Sequence, residues 1–315
     1  MLYITTKDQK DAHTAYKTLV SDCAADGGLY IPFRFPKLDD VQINKLKELT
    51  FSEVLAQILN CFFSAQMTAW DVEFAAGRNP VKMASVGRKI IVSELWHNHG
   101  ASYECMERNL FKYLSKNDGI ASYPTDWARI AIRIAVLFGV YSQMHQQNVV
   151  SSSESVDVVM DAGNYFEPIA AFYAKEMGLP LGKIIICCYG ENAAIWDLVH
   201  RNEIATATLP RKLVLGIERL LYSVHGTEEL QRFIQLSETR RIYTVNEELT
   251  ERLADSFVSI VVSKDRLTSL ANSVLKTDGY RIDEKTAMSF GAVQDYRARV
   301  GESNLTLVFS ENKPK

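Results

Sequence analysis

The stretch from Val156 to Cys188, VDVVMDAGNYFEPIAAFYAKEMGLPLGKIIICC, decides the fold class of this chain. It opens with the apolar run Val156-Asp-Val-Val-Met160 and closes with the run Lys183-Ile-Ile-Ile-Cys-Cys188, and each run has the length of a buried strand. Residues 166–177, which lie between the two runs, have the apolar spacing of a helix. Strand, helix and strand in this order predict two parallel strands connected through a crossover helix.

The same alternation continues on both sides of this unit. Further strand-like runs lie at residues 89–95, 258–262 and 305–309, and helical patterns lie at 101–116, 126–147, 211–225, 264–277 and 284–299. Strands that alternate with helices are typical of parallel sheets covered on both faces. We therefore predict an α/β fold with a mostly parallel sheet flanked by helices.

The first part of the chain has a different pattern. Residues 1–84 contain one strand signal, at Leu2 to Thr5, and helical patterns at 39–49 and 51–66. This pattern predicts a small, mainly helical N-terminal domain at 1–84, followed by a large α/β domain at 85–315.

Composition and charge exclude several classes of function. The chain has 315 residues, 47% of them hydrophobic, and its 35 Lys and Arg against 38 Asp and Glu give no electrostatic reason to expect nucleic acid. The N-terminus lacks a basic region followed by an apolar core, and no apolar run approaches the roughly 18 residues of a membrane span. We expect a cytoplasmic protein with neither nucleic-acid nor membrane partners. Its 5 cysteines have no CxxC spacing, so reduced thiols are expected.

Several segments, in order along the chain, resemble the threonine synthase family. Ala25-Asp-Gly-Gly-Leu-Tyr-Ile-Pro32 is similar to the family's DGGLYVP, and Asp126-Trp-Ala-Arg-Ile130 is similar to its NWARI. Asp161-Ala-Gly-Asn-Tyr-Phe-Glu-Pro168 resembles its SGNFGD, and Gly279-Tyr-Arg-Ile-Asp-Glu-Lys-Thr-Ala287 resembles its GYLLDPHTA. The resemblance implies the fold of the type II pyridoxal-phosphate enzymes and a connection to amino-acid metabolism through threonine biosynthesis. The family reaction converts O-phosphohomoserine to threonine.

The lysine that holds the family cofactor has no counterpart here. The family places it in ELFHGPTLAFKD, and the corresponding run is Glu94-Leu-Trp-His-Asn-His-Gly-Ala-Ser-Tyr-Glu-Cys105, in which Glu104 stands at the lysine position. A carboxylate cannot form the imine on which this chemistry depends. Using Lys112 instead would move the cofactor about 12 Å, at ~1.5 Å of helix rise per residue.

The phosphate-binding loop of the family survives only as a remnant at Gly163, Asn164, Tyr165 and Phe166. Asn164 is predicted to be the N-cap of the following helix, with Glu167 as its capping-box partner. Phe166 replaces a glycine of the family pattern, and its ring occupies the place where the backbone would approach a phosphate. The resemblance therefore implies a plugged phosphate site.

Two further elements of the family site are missing. Only residues 114–126 separate the first two helices of the large domain, so the family's small domain is predicted to be deleted there. Glu311 stands where the family has the threonine that contacts the cofactor's pyridine nitrogen. His97 and His99 lie near Glu94 and Cys105, but their spacing fits no standard metal site, so we expect loop histidines and no metal.

The sequence thus predicts a threonine synthase-like pseudoenzyme with no catalytic residue and no bound cofactor, which functions in binding or assembly. We expect self-association or a complex with a genuine threonine synthase, because loss of a domain exposes apolar surface. Two alternatives remain open at this point. One is threonine synthase or lyase activity on O-phosphohomoserine by an unrecognised route, and the other is binding of a small anion at the loop of Gly163 and Asn164.

Overall fold

The computed structural model describes residues 1–116, 123–151, 154–189, 197–199, 201–206, 211–239, 242–301 and 304–314. Its N-terminal part contains a small antiparallel sheet with strand order β2-β1-β3 and four helices. The strands are β1 (Leu2–Thr5), β2 (His13–Thr14) and β3 (Tyr30–Pro32), and the helices are α1 (Ala15–Val20), α2 (Asp40–Leu46), α3 (Phe51–Phe63) and α4 (Ala69–Ala76).

The sequence predicted only the first of these strands. β2 and β3 span two and three residues, which is too short for the alternation of apolar and polar residues to be visible. The N-terminal sheet packs on the rest of the molecule through Tyr3 of β1, whose hydroxyl donates to Phe62 O at 2.9 Å and accepts from Trp127 Nε1 at 3.0 Å. The division into domains at residue 84 stays a prediction.

The predicted parallel sheet is confirmed. The remaining strands are β4 (Lys82–Ser85), β5 (Ile90–Glu94), β6 (Val156–Asp161), β7 (Leu181–Cys188), β8 (Glu203–Ala205), β9 (Ile242–Thr244), β10 (Phe257–Val261) and β11 (Leu305–Ser310). Six of them form the main sheet in the order β10-β7-β6-β11-β5-β4, and every pair in it is parallel except β4 with β5. β8 and β9 form a separate antiparallel pair.

Helices cover both faces of the main sheet. They are α5 (Tyr103–Leu114), α6 (Asp126–Gln146), α7 (Phe166–Glu176), α8 (Arg211–His225), α9 (Thr227–Thr239), α10 (Glu247–Ser256), α11 (Leu267–Asp278) and α12 (Glu284–Val300). One core joins α3, α6 and α7 to one face, and a second core joins α11 and α12 to the other. Among the described residues, no helix combines the length and the apolar character needed to cross a membrane.

α6 is the central helix of the larger core, and nearly all its residues are buried. It begins after Thr125, whose side chain accepts from Ala128 N, and its N-terminal residue Asp126 accepts from Tyr165 Oη. Gly139 lets α3 approach closely, because a Cβ there would lie 2.7 Å from Leu55 and Phe51 side-chain atoms. Residues 115–125 connect α5 to α6, and of these 117–122 lie outside the described residues.

Candidate functional site

The candidate site lies at the carboxyl edge of the parallel sheet, where β5, β6 and β11 end side by side. Glu94 ends β5, Asp161 ends β6 and Glu311 follows the last residue of β11. In open parallel sheets this edge is the usual location of binding sites, because loops from several strands converge there. The edge therefore brings together side chains that are far apart in the sequence.

A buried cluster of charges fills this edge. Arg133 Nη2 lies 3.3 Å from Glu167 Oε1 and also forms an ion pair with Glu311 Oε1. Lys285 Nζ lies 3.0 Å from Glu167 Oε1, 2.9 Å from Glu311 Oε2 and 3.6 Å from Asp161 Oδ2. Two cations and three carboxylates thus form one connected network. We call these five residues the ion cluster.

Each member of the ion cluster comes from a different element. Arg133 lies on α6, Glu167 is the second residue of α7, and Lys285 is the second residue of α12. α12 begins after Asp283, whose side chain accepts from Thr286 N, so this N-cap fixes where Lys285 enters the cluster. Because these elements are also packed against the sheet, the cluster is held in place by the core.

Burial and charge pairing together set the protonation of the cluster. Burial raises the pKa of a carboxyl, but Arg133 and Lys285 outweigh that effect at Glu311 and lower its pKa to about 2. At Glu167 the burial effect is the larger one, and with the neighbouring Glu311 it holds the pKa above its ordinary value despite Lys285. Burial lowers the pKa of Lys285, but the neighbouring carboxylates raise it by more. The pKa therefore lies above its ordinary value and the amine stays protonated.

Tyr103 closes the cluster on the side of α5. The Arg133 guanidinium lies over its ring, with Cζ 3.7 Å from the ring centroid. Tyr103 N donates to Glu311 O at 2.9 Å, which ties the start of α5 to the residue after β11. Side-chain exposure is only 3% for Arg133 and 5% for Glu167, so bulk water has little access to the centre of the cluster.

The loop that the sequence identified as a phosphate-site remnant has its own internal hydrogen bonds. Gly163 N donates to Asp161 Oδ1 at 2.8 Å, Asn164 N to Asp161 O, and Phe166 N to Asn164 Oδ1. The amides of Gly163, Asn164 and Phe166 therefore already have acceptors, and two carboxylates lie beside them. This arrangement does not favour a bound anion.

The predicted cap of α7 is wrong. The N-cap is Tyr165, which has helical backbone angles and no side-chain cap. The Glu167 side chain turns away from the backbone of Asn164 and accepts from Asp161 N at 3.1 Å. Glu167 is drawn into the ion cluster by Arg133 and Lys285, so no capping box forms. Phe166 is partly buried, and the Arg129 guanidinium lies 5.3 Å from its ring centroid.

Glu104 lies outside the cluster. It occupies the first turn of α5, its side chain is 69% exposed, and it accepts from Arg108 Nη2 at 2.8 Å. Lys112 also lies outside the ion cluster, and it lines a separate pocket of about 270 Å³ with Phe74, His99 and Tyr113. Neither residue places an amine at the carboxyl edge.

The two histidines of the sequence analysis have different surroundings. His97 pairs with Glu94 and stacks on Trp96 at 3.9 Å between ring centroids, whereas His99 lies beside Gly77. Glu94 also accepts from Tyr280 Oη. Over the parts of the chain that the structure describes, no group of three or more His, Cys, Asp and Glu side chains could hold a metal ion.

Pyridoxal phosphate does not fit the residues at this edge. The cofactor needs an unprotonated lysine amine and a cradle for its phosphate dianion. The one lysine in the cluster, Lys285, is bonded to Glu167 and Glu311, which keep it protonated. The same carboxylates would repel a phosphate, and the loop amides at Gly163 and Phe166 are already bonded.

The sequence analysis missed three members of the ion cluster, namely Arg133, Lys285 and Asp161. A signal for Arg133 exists, because it is the only charged residue between Ile130 and Met144, in an otherwise apolar helix. A lone charge on a buried helix requires a buried partner. No comparable signal identifies Lys285, which has an ordinary position near a helix start.

Comparisons with known proteins agree with the sequence resemblance. Residues 2–75 match the family model described as "Threonine synthase N terminus". Threonine synthase-like 1 of Homo sapiens is 26% identical over 177 residues, which are 52% of this chain and 24% of that protein. Threonine synthase of Saccharomyces cerevisiae is 24% identical over 221 residues, 62% of this chain and 42% of the enzyme. These matches span between a quarter and a half of each relative's own length.

Solved structures extend the likeness to the whole fold. A PLP-bound threonine synthase from Brucella melitensis superposes with a TM-score of 0.80 at 17% identity, covering 100% of this chain and 89% of that one. The threonine synthase from yeast gives a TM-score of 0.79 at 16% identity, covering 99% of this chain and 87% of that one. At this identity the likeness shows the fold alone, and it confirms the predicted architecture.

Proposed function

We propose that this chain, which is similar in sequence to threonine synthases and shares their fold, is a threonine synthase-like protein without pyridoxal-phosphate chemistry. In this proposal it is a cytoplasmic pseudoenzyme with a role in binding or assembly, and its resemblance to threonine synthases suggests a place in threonine metabolism. One observation carries the proposal: Arg133, Glu167, Glu311 and Lys285 neutralise one another at the edge of the sheet where the family resemblance puts the cofactor.

The physical reason is that cofactor and cluster exclude each other. Pyridoxal phosphate would have to displace Lys285 from two carboxylates, which would leave Glu167 and Glu311 with Arg133 as their remaining cation. Breaking a buried ion pair costs about 3–5 kcal/mol, because it leaves an uncompensated charge. Glu104, at the position of the family lysine, is an exposed residue paired with Arg108, and its carboxylate cannot form an imine with the cofactor.

An absorption spectrum tests the proposal. The purified full chain is incubated with pyridoxal phosphate, freed of unbound cofactor, and scanned before and after borohydride reduction. We expect no band from a protein-bound imine and no lysine labelled on peptide mapping. Lys285→Met and Lys112→Met serve as matched variants, because they remove the amine in the cluster and the amine in the neighbouring pocket respectively.

The opposite result would be a band that disappears on reduction, with the label on Lys285 or Lys112. It would favour the alternative function, a pyridoxal-phosphate lyase acting on O-phosphohomoserine by a different route. Loss of the label in only one of the two lysine variants would then identify the residue used.

An exposed aromatic pair supports the assembly part of the proposal. Trp70 and Phe74 on α4 stack with ring centroids 5.5 Å apart, and they are 68% and 69% exposed. α4 packs beside α5, the helix whose C-terminal end precedes the predicted deletion at 114–126. Two large stacked side chains in water are typical of an interface.

We propose that this aromatic pair is covered by a second copy of the chain, and the test is the mass of the particle in solution. Sedimentation at several concentrations should give a dimer for the natural chain and a monomer for a Trp70→Ser, Phe74→Ser double variant. Val300→Ser, which changes a half-exposed side chain at the end of α12, should leave the mass unchanged. A monomer that also fails to bind a purified threonine synthase from the same cell would contradict the assembly role.

A further inference from the structure

A buried arginine outside the ion cluster has no hydrogen-bond partner among the described residues. Arg219 lies on α8 and has no solvent exposure. None of its three guanidinium nitrogens, Nε, Nη1 and Nη2, has a hydrogen-bond partner among the residues that the structure describes. The guanidinium carries five N–H donors in a fixed planar fork, and all five are unused.

An unpaired buried guanidinium is costly. Arginine does not lose its proton under any ordinary condition, so it cannot avoid the cost of burial by becoming neutral. The effective penalty for burying one unpaired ion is several kcal/mol. The other buried arginine with comparable accessibility, Arg133, has two carboxylate partners and an aromatic ring beneath it. Arg219 has no such compensation from the described part of the chain.

The walls around Arg219 are polar on one side. Burial raises the pKa of the Tyr165 and Tyr173 phenols, and the positive charge of Arg219 opposes that rise at both, so both phenols lie within electrostatic range of the guanidinium. Gly216, one turn earlier on α8, has its Cα against the Tyr165 ring, where a Cβ would be 2.4 Å from Cδ2. Tyr165 Oη donates to Asp126 Oδ2 at 2.6 Å, so its proton is directed away from the guanidinium.

A pocket adjoins this region. It has a volume of about 260 Å³, and its walls include Phe33, Phe172, Tyr173, Tyr222 and Ser223. Ser223 is four residues after Arg219 and so lies on the same face of α8. Ser223 Oγ donates to Arg219 O at 2.7 Å and shares a hydrogen bond of 2.6 Å with Tyr173 Oη. The Ser223 bond ties the pocket wall to the α8 backbone at Arg219, and Tyr173, which lines the pocket, is the phenol that the Arg219 charge acts on.

We propose that Arg219 anchors a small oxyanion, the phosphate or carboxylate group of an organic molecule whose apolar body occupies the adjoining pocket. An oxyanion matches the planar fork of the guanidinium with two parallel hydrogen bonds. The aromatic walls of Phe33, Phe172 and Tyr222 suit an apolar or aromatic body. The site is separate from the ion cluster and does not depend on whether the protein binds pyridoxal phosphate.

Thermal unfolding of the full chain tests the site. The probes are sodium phosphate, sodium acetate and phenyl phosphate, each compared with sodium chloride at the same ionic strength. A ligand at a hundredfold excess over its dissociation constant should raise the midpoint by about 5 °C. A larger rise of the midpoint with phosphate than with acetate would identify a phosphoryl group, and the reverse order would identify a carboxylate. A still larger rise with phenyl phosphate would support occupation of the pocket.

Arg219→Met separates binding from structure. Replacing an unpaired buried charge by an apolar side chain of similar length should leave the midpoint without ligand unchanged or higher, and it should abolish the response to all three probes. Arg232→Met, which removes a partly exposed arginine from α9, is the matched control and should keep the full response. Arg219→Lys should keep only part of it, because one ammonium replaces the two-pronged fork.

Three results would overturn the proposal. The first is that no probe at about 10 mM raises the unfolding midpoint of the natural chain above its value in sodium chloride. This result needs no variant, so it holds even if Arg219→Met does not fold. The second is an equal response in the natural chain and in Arg219→Met. The third is a loss of response in Arg232→Met as large as in Arg219→Met, which would indicate general charge screening.

Discussion

Replacing Arg133 by Met gives the sharpest test of the ion cluster. Met keeps most of the length and volume of the arginine stem while removing the guanidinium. The change leaves Glu167 and Glu311 with Lys285 as their only cation. The side chains of both glutamates are mostly buried, so water cannot replace the lost partner.

The magnitude follows from the geometry. Removing one partner of a buried ion pair costs about 3–5 kcal/mol. Lys285, 2.9–3.0 Å from both carboxylates, retains part of the compensation, which places the cost at the lower end. The lost contact with the Tyr103 ring adds about 1 kcal/mol. We therefore expect the free energy of unfolding at pH 7 to fall by about 4 kcal/mol.

Urea unfolding followed by circular dichroism measures this change. Arg108→Met on α5 is the control: Arg108 and its partner Glu104 are 35% and 69% exposed, so loss of this surface pair should cost less than about 1 kcal/mol. The cost of Arg133→Met should shrink between pH 7 and pH 5, because carboxyls left without their cation take up protons more readily and become neutral.

A second substitution checks the cause. Glu311→Gln added to Arg133→Met removes one of the carboxylates that Arg133 neutralised, so the double variant should recover about 1–3 kcal/mol relative to Arg133→Met alone. A loss of stability for Arg133→Met no larger than that for Arg108→Met would refute this account of the cluster. It would also be refuted by a loss that is independent of pH, or by strictly additive effects in the double variant.

Three further outcomes are expected. Glu311 has a pKa lowered to about 2 from an ordinary value of 4.5, so its contribution to the free energy of unfolding, on the order of 3 kcal/mol, is present above pH 4.5 and is lost as the pH falls toward 2. The acid unfolding curve of Glu311→Gln should lack this loss. Glu167 acts in the opposite direction: because its pKa is raised, its protonation stabilises the fold as the pH falls and reduces the slope of the curve. Gly178→Ala should lower the free energy of unfolding by at least about 2 kcal/mol, since φ is +105° and the new Cβ would lie 2.3 Å from Leu38 O, whereas Gly279→Ala, at φ +66° in open space, should cost only about 1 kcal/mol in the same urea titration. Trp127→Phe should cost about 1–2 kcal/mol by leaving Tyr3 Oη without its indole donor. Tyr3→Phe added to it should cost less than in the natural chain, because only the bond to Phe62 O is then left to lose.

The main sheet could be predicted because its strands are buried on both faces. Runs such as Ile184 to Cys188 are wholly apolar, and both faces of the sheet carry a core. β4 was missed because none of its four side chains is fully buried at the sheet edge and its sequence has no apolar run. The antiparallel pair of β8 and β9 was missed for another reason: each strand has three residues and only its middle one is buried.

Only part of the candidate site could be predicted from the sequence. Glu104, Phe166 and Glu311 could be compared with a family pattern position by position. Lys285 could not, because its role depends on α12 starting beside β11, a relation of distant segments that local sequence does not encode. Arg219 is similar: its helix was predicted at 211–225, but only the packing of α8 against Tyr165 shows that the guanidinium is enclosed.

The two buried arginines, Arg133 and Arg219, differ in how their charge is compensated. Arg133 is compensated by carboxylates from α7 and from the end of β11, and such a pair adds little net stability over apolar side chains of the same volume, since desolvation offsets the attraction. What the cluster does fix is position, because its charges come from α6, α7, α12 and the β11 end, and any shift of one element leaves a carboxylate unpaired. A charge that is satisfied internally has no need of a ligand. No described residue accepts a hydrogen bond from the Arg219 guanidinium, so the desolvation cost that the ion cluster meets with its own carboxylates favours a bound oxyanion at this α8 arginine.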